Sequence, residues 1–168
     1  YAYLDTSQQW FGTTKARADF GVDGNADGAA SYSKDDVVVA VLDTGIDPGH
    51  VDLGPGKIIA WKDFTPNNQA NPYDEGGPCS GHGTHVSSIA TGEGDGNANL
   101  KGVAPGAALI GLKVLRKQGN DCVGQTSWVN AGVQWVIDNK ATHGIEIGNM
   151  SLGVEGCSNG TESTSTIV

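Results

Sequence analysis

The chain has 168 residues, 38% of them hydrophobic, which is enough for one compact domain with a core and too few to require two. Ten Lys and Arg stand against 19 Asp and Glu, a formal net charge of -9, so nucleic acid and anionic membrane surfaces are poor partners. No run approaches the ~20 apolar residues of a membrane span and no charged-then-apolar leader opens the chain, which therefore reads as soluble and mature.

Glycines number 26 and cluster with Asn, Asp and Ser between apolar runs, as expected of loops that need positive φ or close backbone approach. The first such loop is Asp23-Gly24-Asn25-Ala26-Asp27-Gly28. Oxygen side chains at alternate positions followed by Gly form the opening half of a calcium loop, so Asp23, Asn25 and Asp27 are expected to bind Ca2+. Position 12 is Lys34 rather than Glu, so the loop is not an EF-hand, and Asp35 or Asp36 would complete the shell. A polar surface turn is the plainer alternative.

Residues 37–42 (VVVAVL) are apolar without alternation, the pattern of a central parallel strand covered on both faces. The run stops at Asp43-Thr44-Gly45, which sets a carboxylate at the carboxyl end of the strand. Gly81-His82-Gly83-Thr84-His85 then opens a short helix expected to reach about Thr91, with glycines exposing His82 on both sides. Residues 107–115 and 145–150 are two more strand candidates. Between them residues 126–141 form an amphipathic helix, with Val129, Val133, Val136 and Ile137 on one face. Thr126 or Ser127 is expected to cap its start, and Gly144 to end it in a left-handed conformation. Strands alternating with helices predict an α/β domain with a parallel sheet, whose reactive groups gather at the carboxyl ends of the strands.

Asp43 and His82 have several possible uses. Asp43 could simply close a strand by accepting turn amides. Cys79, His82 and His85 are spaced by three, but a zinc site lacks a fourth ligand nearby and a HExxH base. Asp-Thr-Gly after an apolar strand is also an aspartic-protease pattern, but only one copy is present where two carboxylates must share a proton. An Asp that orients a neutral imidazole makes economical use of both residues. The cysteines Cys79, Cys122 and Cys157 are odd in number, which leaves one without a partner in a single disulfide.

Four segments occur in a fixed order: Val39-Ala40-Val41-Leu42-Asp43-Thr44-Gly45-Ile46-Asp47, Gly81-His82-Gly83-Thr84-His85-Val86, Lys101-Gly102-Val103-Ala104-Pro105-Gly106 and Asn149-Met150-Ser151-Leu152-Gly153. Together they resemble the signature segments of subtilisin-like serine proteases, over residues 5–168. The resemblance implies a parallel-sheet, three-layer α/β fold, present as the N-terminal part of one catalytic domain and incomplete at its C-terminal end. It also implies Asp43 as the triad acid, His82 as the general base and His85 as a structural residue. Gly124 and Gln125, within Cys122-Val123-Gly124-Gln125, match a strand that pairs with extended substrate. Ser151, Leu152 and Gly153 match the segment that pairs on the other side and walls the specificity pocket. Asp52 matches a second calcium position. A disulfide between Cys79 and Cys122 is implied, with Cys157 pairing beyond residue 168, and disulfides imply secretion.

After Gly153 the resemblance calls for a helix, an oxyanion-hole Asn and a Gly-Thr-Ser nucleophile segment, none of which is in these residues. Gly156-Cys157-Ser158-Asn159-Gly160 fits GxSxG, but it follows a loop rather than a strand, so Ser158 reads as a loop residue. The expectation is an extracellular serine endopeptidase that acts on proteins and peptides, its serine supplied by a C-terminal segment or chain. The contrasting expectation is an inactive peptide-binding fragment or pseudo-protease.

Overall fold

The computed structural model describes residues 4–153. Two short helices come first, α1 (Leu4–Trp10) and α2 (Thr13–Phe20). The expected central strand is β1 (Val38–Asp43), with all six residues buried, so Asp43 is the last strand residue rather than the first of the turn. Next come β2 (Ile58–Asp63), α3 (His82–Thr91), β3 (Ala108–Lys113), α4 (Thr126–His143) and β6 (Ile145–Asn149). The main sheet is parallel in the order β2-β3-β1-β6.

The apolar run at 107–115 is not one strand. The Val114 amide bonds the Asp43 carbonyl at 2.9 Å, and the chain then leaves the sheet. Leu115–Gln118 (β4) and Asp121–Gly124 (β5) form a separate antiparallel hairpin. Arg116 and Lys117 give the physical reason, since a continued central strand would bury their charges. A fourth strand, β2, joins the three expected ones. The start of α4 also differs from expectation. Its cap is Gln125, in extended conformation and without a side-chain bond, so Thr126 and Ser127 lie inside the first turn. The end is as expected, with Gly144 at φ 65° and its amide bonded to the Lys140 carbonyl.

The two faces of the sheet carry separate cores. Val38, Ala40, Leu42, Ala108, Ile110 and Leu112 pack with Val129 and Val133 of α4, whereas Val39, Val41, Ile46 and Leu109 pack with Val86 of α3. Helix, sheet and helix make the three layers. Each wholly buried Leu or Ile contributes about 1.5–3 kcal/mol, and the central strands hold most of them. Among the described residues no helix is long and apolar enough to cross a membrane.

Candidate active site

Parallel pairing aligns the carboxyl ends of β1 and β3, with Asp43 opposite Lys113. The Asp43 side chain is fully buried, while the His82 side chain, on the first residue of α3, is 45% exposed. Nδ1 of His82 lies 2.8 Å from Oδ1 of Asp43. A carboxylate only accepts hydrogen bonds, so the ring donates through Nδ1 and Nε2 is left as a proton acceptor. The Thr44 amide donates to the same Asp43 oxygen at 2.7 Å. Oδ2 of Asp43 is buried with no partner among the described residues, a cost that structural carboxylates usually avoid.

Two glycines permit this contact. A Cβ on Gly83 would stand 2.1 Å from the Gly45 carbonyl oxygen and 3.1 Å from the Asp43 Cβ, so any side chain there would push the helix off the strand end. Gly45 is at φ +123°, and a Cβ on it would strike the Tyr73 carbonyl. Of the two glycines flanking His82, Gly83 therefore serves close approach, whereas Gly81 is needed for its left-handed conformation at φ +65° and a Cβ there would meet nothing closer than Asp74 Oδ2 at 3.7 Å.

Asp74, which the sequence reading did not single out, joins the strand end to the helix. Its Oδ2 accepts from the Thr84 amide at 2.8 Å and from the Thr84 hydroxyl. Its Oδ1 accepts from the Thr44 hydroxyl at 2.6 Å and the Glu75 amide at 2.7 Å. The Thr44 hydroxyl in turn accepts from the Gly83 amide at 2.8 Å. Asp74 thus satisfies one orphan amide in the first turn of α3 directly and a second through the Thr44 hydroxyl, with favourable helix-dipole sign, and fixes the residue after Asp43. Asp74→Ala is expected to destabilise the folded protein by about 3 kcal/mol, because several donors lose a charged acceptor at once. A denaturant midpoint within error of wild type would show that the network is dispensable.

A sequence model of the subtilase family matches residues 34–167. The chain belongs to the subtilase family. It is 38% identical over 122 residues to subtilisin of Bacillus pumilus, which covers 73% of this chain and 39% of that protein. It is 42% identical over 118 residues to an intracellular serine protease of Paenibacillus polymyxa, covering 70% of this chain and 33% of that one. The structure of the Clostridium perfringens CspB protease superposes with a TM-score of 0.74 at 20% identity, over 96% of this chain and 36% of that chain, a likeness of fold. The chain thus spans well under half the length of these relatives.

The segments expected to pair with substrate follow the same ends of the sheet strands. Gly124 closes β5 and pairs with Leu115, two residues after Lys113, and Gln125 follows as the cap of α4. Asn149 pairs with Val41, so Ser151 emerges beside the end of β1. The Ser151 hydroxyl accepts from the Asn149 side chain at 3.0 Å, Leu152 packs against the α4-side core, and Gly153 is the last described residue. Cys79 and Cys122 are joined, with Cα atoms 5.0 Å apart, which removes Cys79 from any zinc site. Cys157 and Ser158 lie outside the described residues.

The calcium candidates lie at two other places. Residues 23 and 24 bond the entrances of the central strands through Gly106 N to Asp23 O and Val37 N to Gly24 O, at the end opposite the His–Asp pair. The side-chain oxygens of Asp23, Asn25 and Asp27 each accept a backbone amide within the loop, from Asn25, Gly28 and Ala29. Asp36 accepts from Ala26 and Ser33 amides. Asp52 accepts from Gly96 N at 2.7 Å. Among the described residues no three His, Cys, Asp or Glu side chains converge as a metal shell.

Proposed function

We propose that this chain supplies the acid and the base of a serine endopeptidase whose nucleophile lies outside residues 1–168. The observation that carries the reading is the buried Asp43 carboxylate 2.8 Å from Nδ1 of a histidine whose ring reaches solvent. Asp43 holds the tautomer and offsets the charge that His82 gains, and His82 accepts the serine proton through Nε2, then returns it to the leaving amine. Extended substrate pairs with the segment at Gly124 and Gln125 on one side and with Ser151, Leu152 and Gly153 on the other.

The partner that brings the serine is a C-terminal segment or chain that continues the sheet beyond β6. Support comes from the outer strand, where Ile147 and nearby Met150 are 48% and 39% exposed, the kind of apolar edge that proteins cover. The Cys79–Cys122 disulfide supports a secreted, extracellular protein. The complete protein is expected to hydrolyse peptide esters and amides and to lose both activities to a serine-directed fluorophosphonate. Peptide binding without turnover would favour the pseudo-protease instead.

Calcium belongs to the proposal on the spacing of Asp23, Asn25 and Asp27, with Asp52 as a second position. Placed at the far end of the sheet, an ion held by the first loop would stabilise the fold rather than take part in chemistry. Chelation is expected to lower the thermal midpoint of the complete protein, with Asp27→Ala removing most of that sensitivity. An unchanged midpoint in chelator would overturn the calcium assignment.

A further inference from the structure

Lys113, the last residue of β3, has a wholly buried side chain. In the two parallel registers it stands between Asp43 on β1 and Asp63 on β2, so three charged residues form a row across the carboxyl end of the sheet. In-register neighbours share a face, and this is the face that α3 covers. The ammonium donates to the Thr44 carbonyl and, at 2.6 Å, to the Leu115 carbonyl, and it pairs with Oε1 of Glu75 at 3.2 Å. Its three donors thus have three partners. The Tyr73 ring centroid lies 4.8 Å away.

Each partner leads to a different part of the cleft. Thr44 carries the amide that holds Asp43 Oδ1. The Glu75 carbonyl accepts the amide of Gly81, the cap residue before His82, at 2.8 Å. Leu115 opens the hairpin and pairs with Gly124. A buried charge is costly unless fully paired, and this one is paired only to the three loops that must agree in position.

We propose that Lys113 is a positioning residue, whose ammonium fixes the turn of the acid, the helix entrance of the base and the substrate hairpin relative to one another without touching substrate. The inference rests on the serine-protease reading of the site. Burial lowers the pKa of Lys113, and the carboxylates of Glu75, Asp63 and Asp74 oppose that shift without cancelling it. Burial raises the pKa of the Tyr73 hydroxyl, opposite in direction to its effect on Lys113. Asp43, on the adjoining strand, is the remaining charged neighbour in the row. Loss of the Lys113 proton therefore gives kcat an alkaline limb.

In the complete protein, folded Lys113→Met is expected to lose tenfold or more in kcat, to show a raised KM and to lack that limb, since misplacement of a catalytic group by about 1 Å costs up to about a hundredfold. A lower thermal midpoint with wild-type kcat, KM and pH profile would overturn the proposal. Glu75→Gln provides a second variant that keeps the lysine. Removing the carboxylate that raises its pKa should shift the alkaline limb of kcat to lower pH, and an unmoved limb would contradict the role. The His82 Nδ1 proton, observed by NMR, gives a readout independent of turnover. Its resonance should move in either variant, and an unmoved signal in both would count against the proposal. If the wild-type protein binds peptide without cutting it, the protease reading falls while this resonance still decides the positioning role.

Discussion

His82→Ala in the complete protein is expected to lower kcat/KM on peptide amides by about 10⁴-fold or more, with the folded structure retained. The ring is 45% exposed and its packing contribution is small, so the loss falls on chemistry rather than stability. Asp43→Asn should cost about 10⁴-fold by a different route. An Asn side chain can turn its NH₂ toward Nδ1, which then accepts, and the ring proton moves to Nε2 where a base is needed. The geometry would survive while the tautomer would be wrong. Initial rates on a peptide amide, compared with urea midpoints, separate the two effects. Activity within tenfold of wild type in either variant would remove the pair from the reaction.

The second large effect concerns the disulfide. Cys79 and Cys122 are 43 residues apart in sequence, and closing a loop of that length restricts the unfolded chain by about 4 kcal/mol. The link also joins the short 3₁₀ turn before His82 (Gly77–Cys79) to the β4–β5 hairpin. Only Ser80 and Gly81 separate Cys79 from His82, and both are left-handed, at φ 54° and 65°. Cys79→Ser with Cys122→Ser should therefore lower the unfolding free energy by about 4 kcal/mol and raise KM as the hairpin loosens. Peptide mapping without reductant should recover residues 79 and 122 in one cross-linked fragment. Two free thiols in protein isolated without reductant would contradict the pairing.

The parts of the site that were legible in the sequence are those fixed by local pattern. An unbroken apolar run stops at Asp43, and Gly83 beside His82 marks the close approach that the Gly83–Gly45 contact requires. Asp74, Glu75 and Lys113 gave no such signal. Asp74 and Glu75 lie in a polar loop, where a carboxylate that caps a helix eight residues on looks like any surface acid. Lys113 was hidden within an apolar run that reads as a strand, because a buried lysine contradicts the pattern and only the fold reveals its partners. The strand β2 was missed because an edge strand with Trp61, Lys62 and Asp63 is half-buried and does not alternate cleanly. The capping error at α4 has a similar origin, since Thr126 and Ser127 are good caps locally but the β5 hairpin fixes where the helix begins.

The most direct test is to map where a fluorophosphonate attaches in the complete protein. The proposed division of the triad predicts one modified serine, C-terminal to Val168, with labelling lost in His82→Ala. Attachment at Ser158, or at any serine within residues 1–168, would contradict the assignment of acid and base to this chain and nucleophile to another segment.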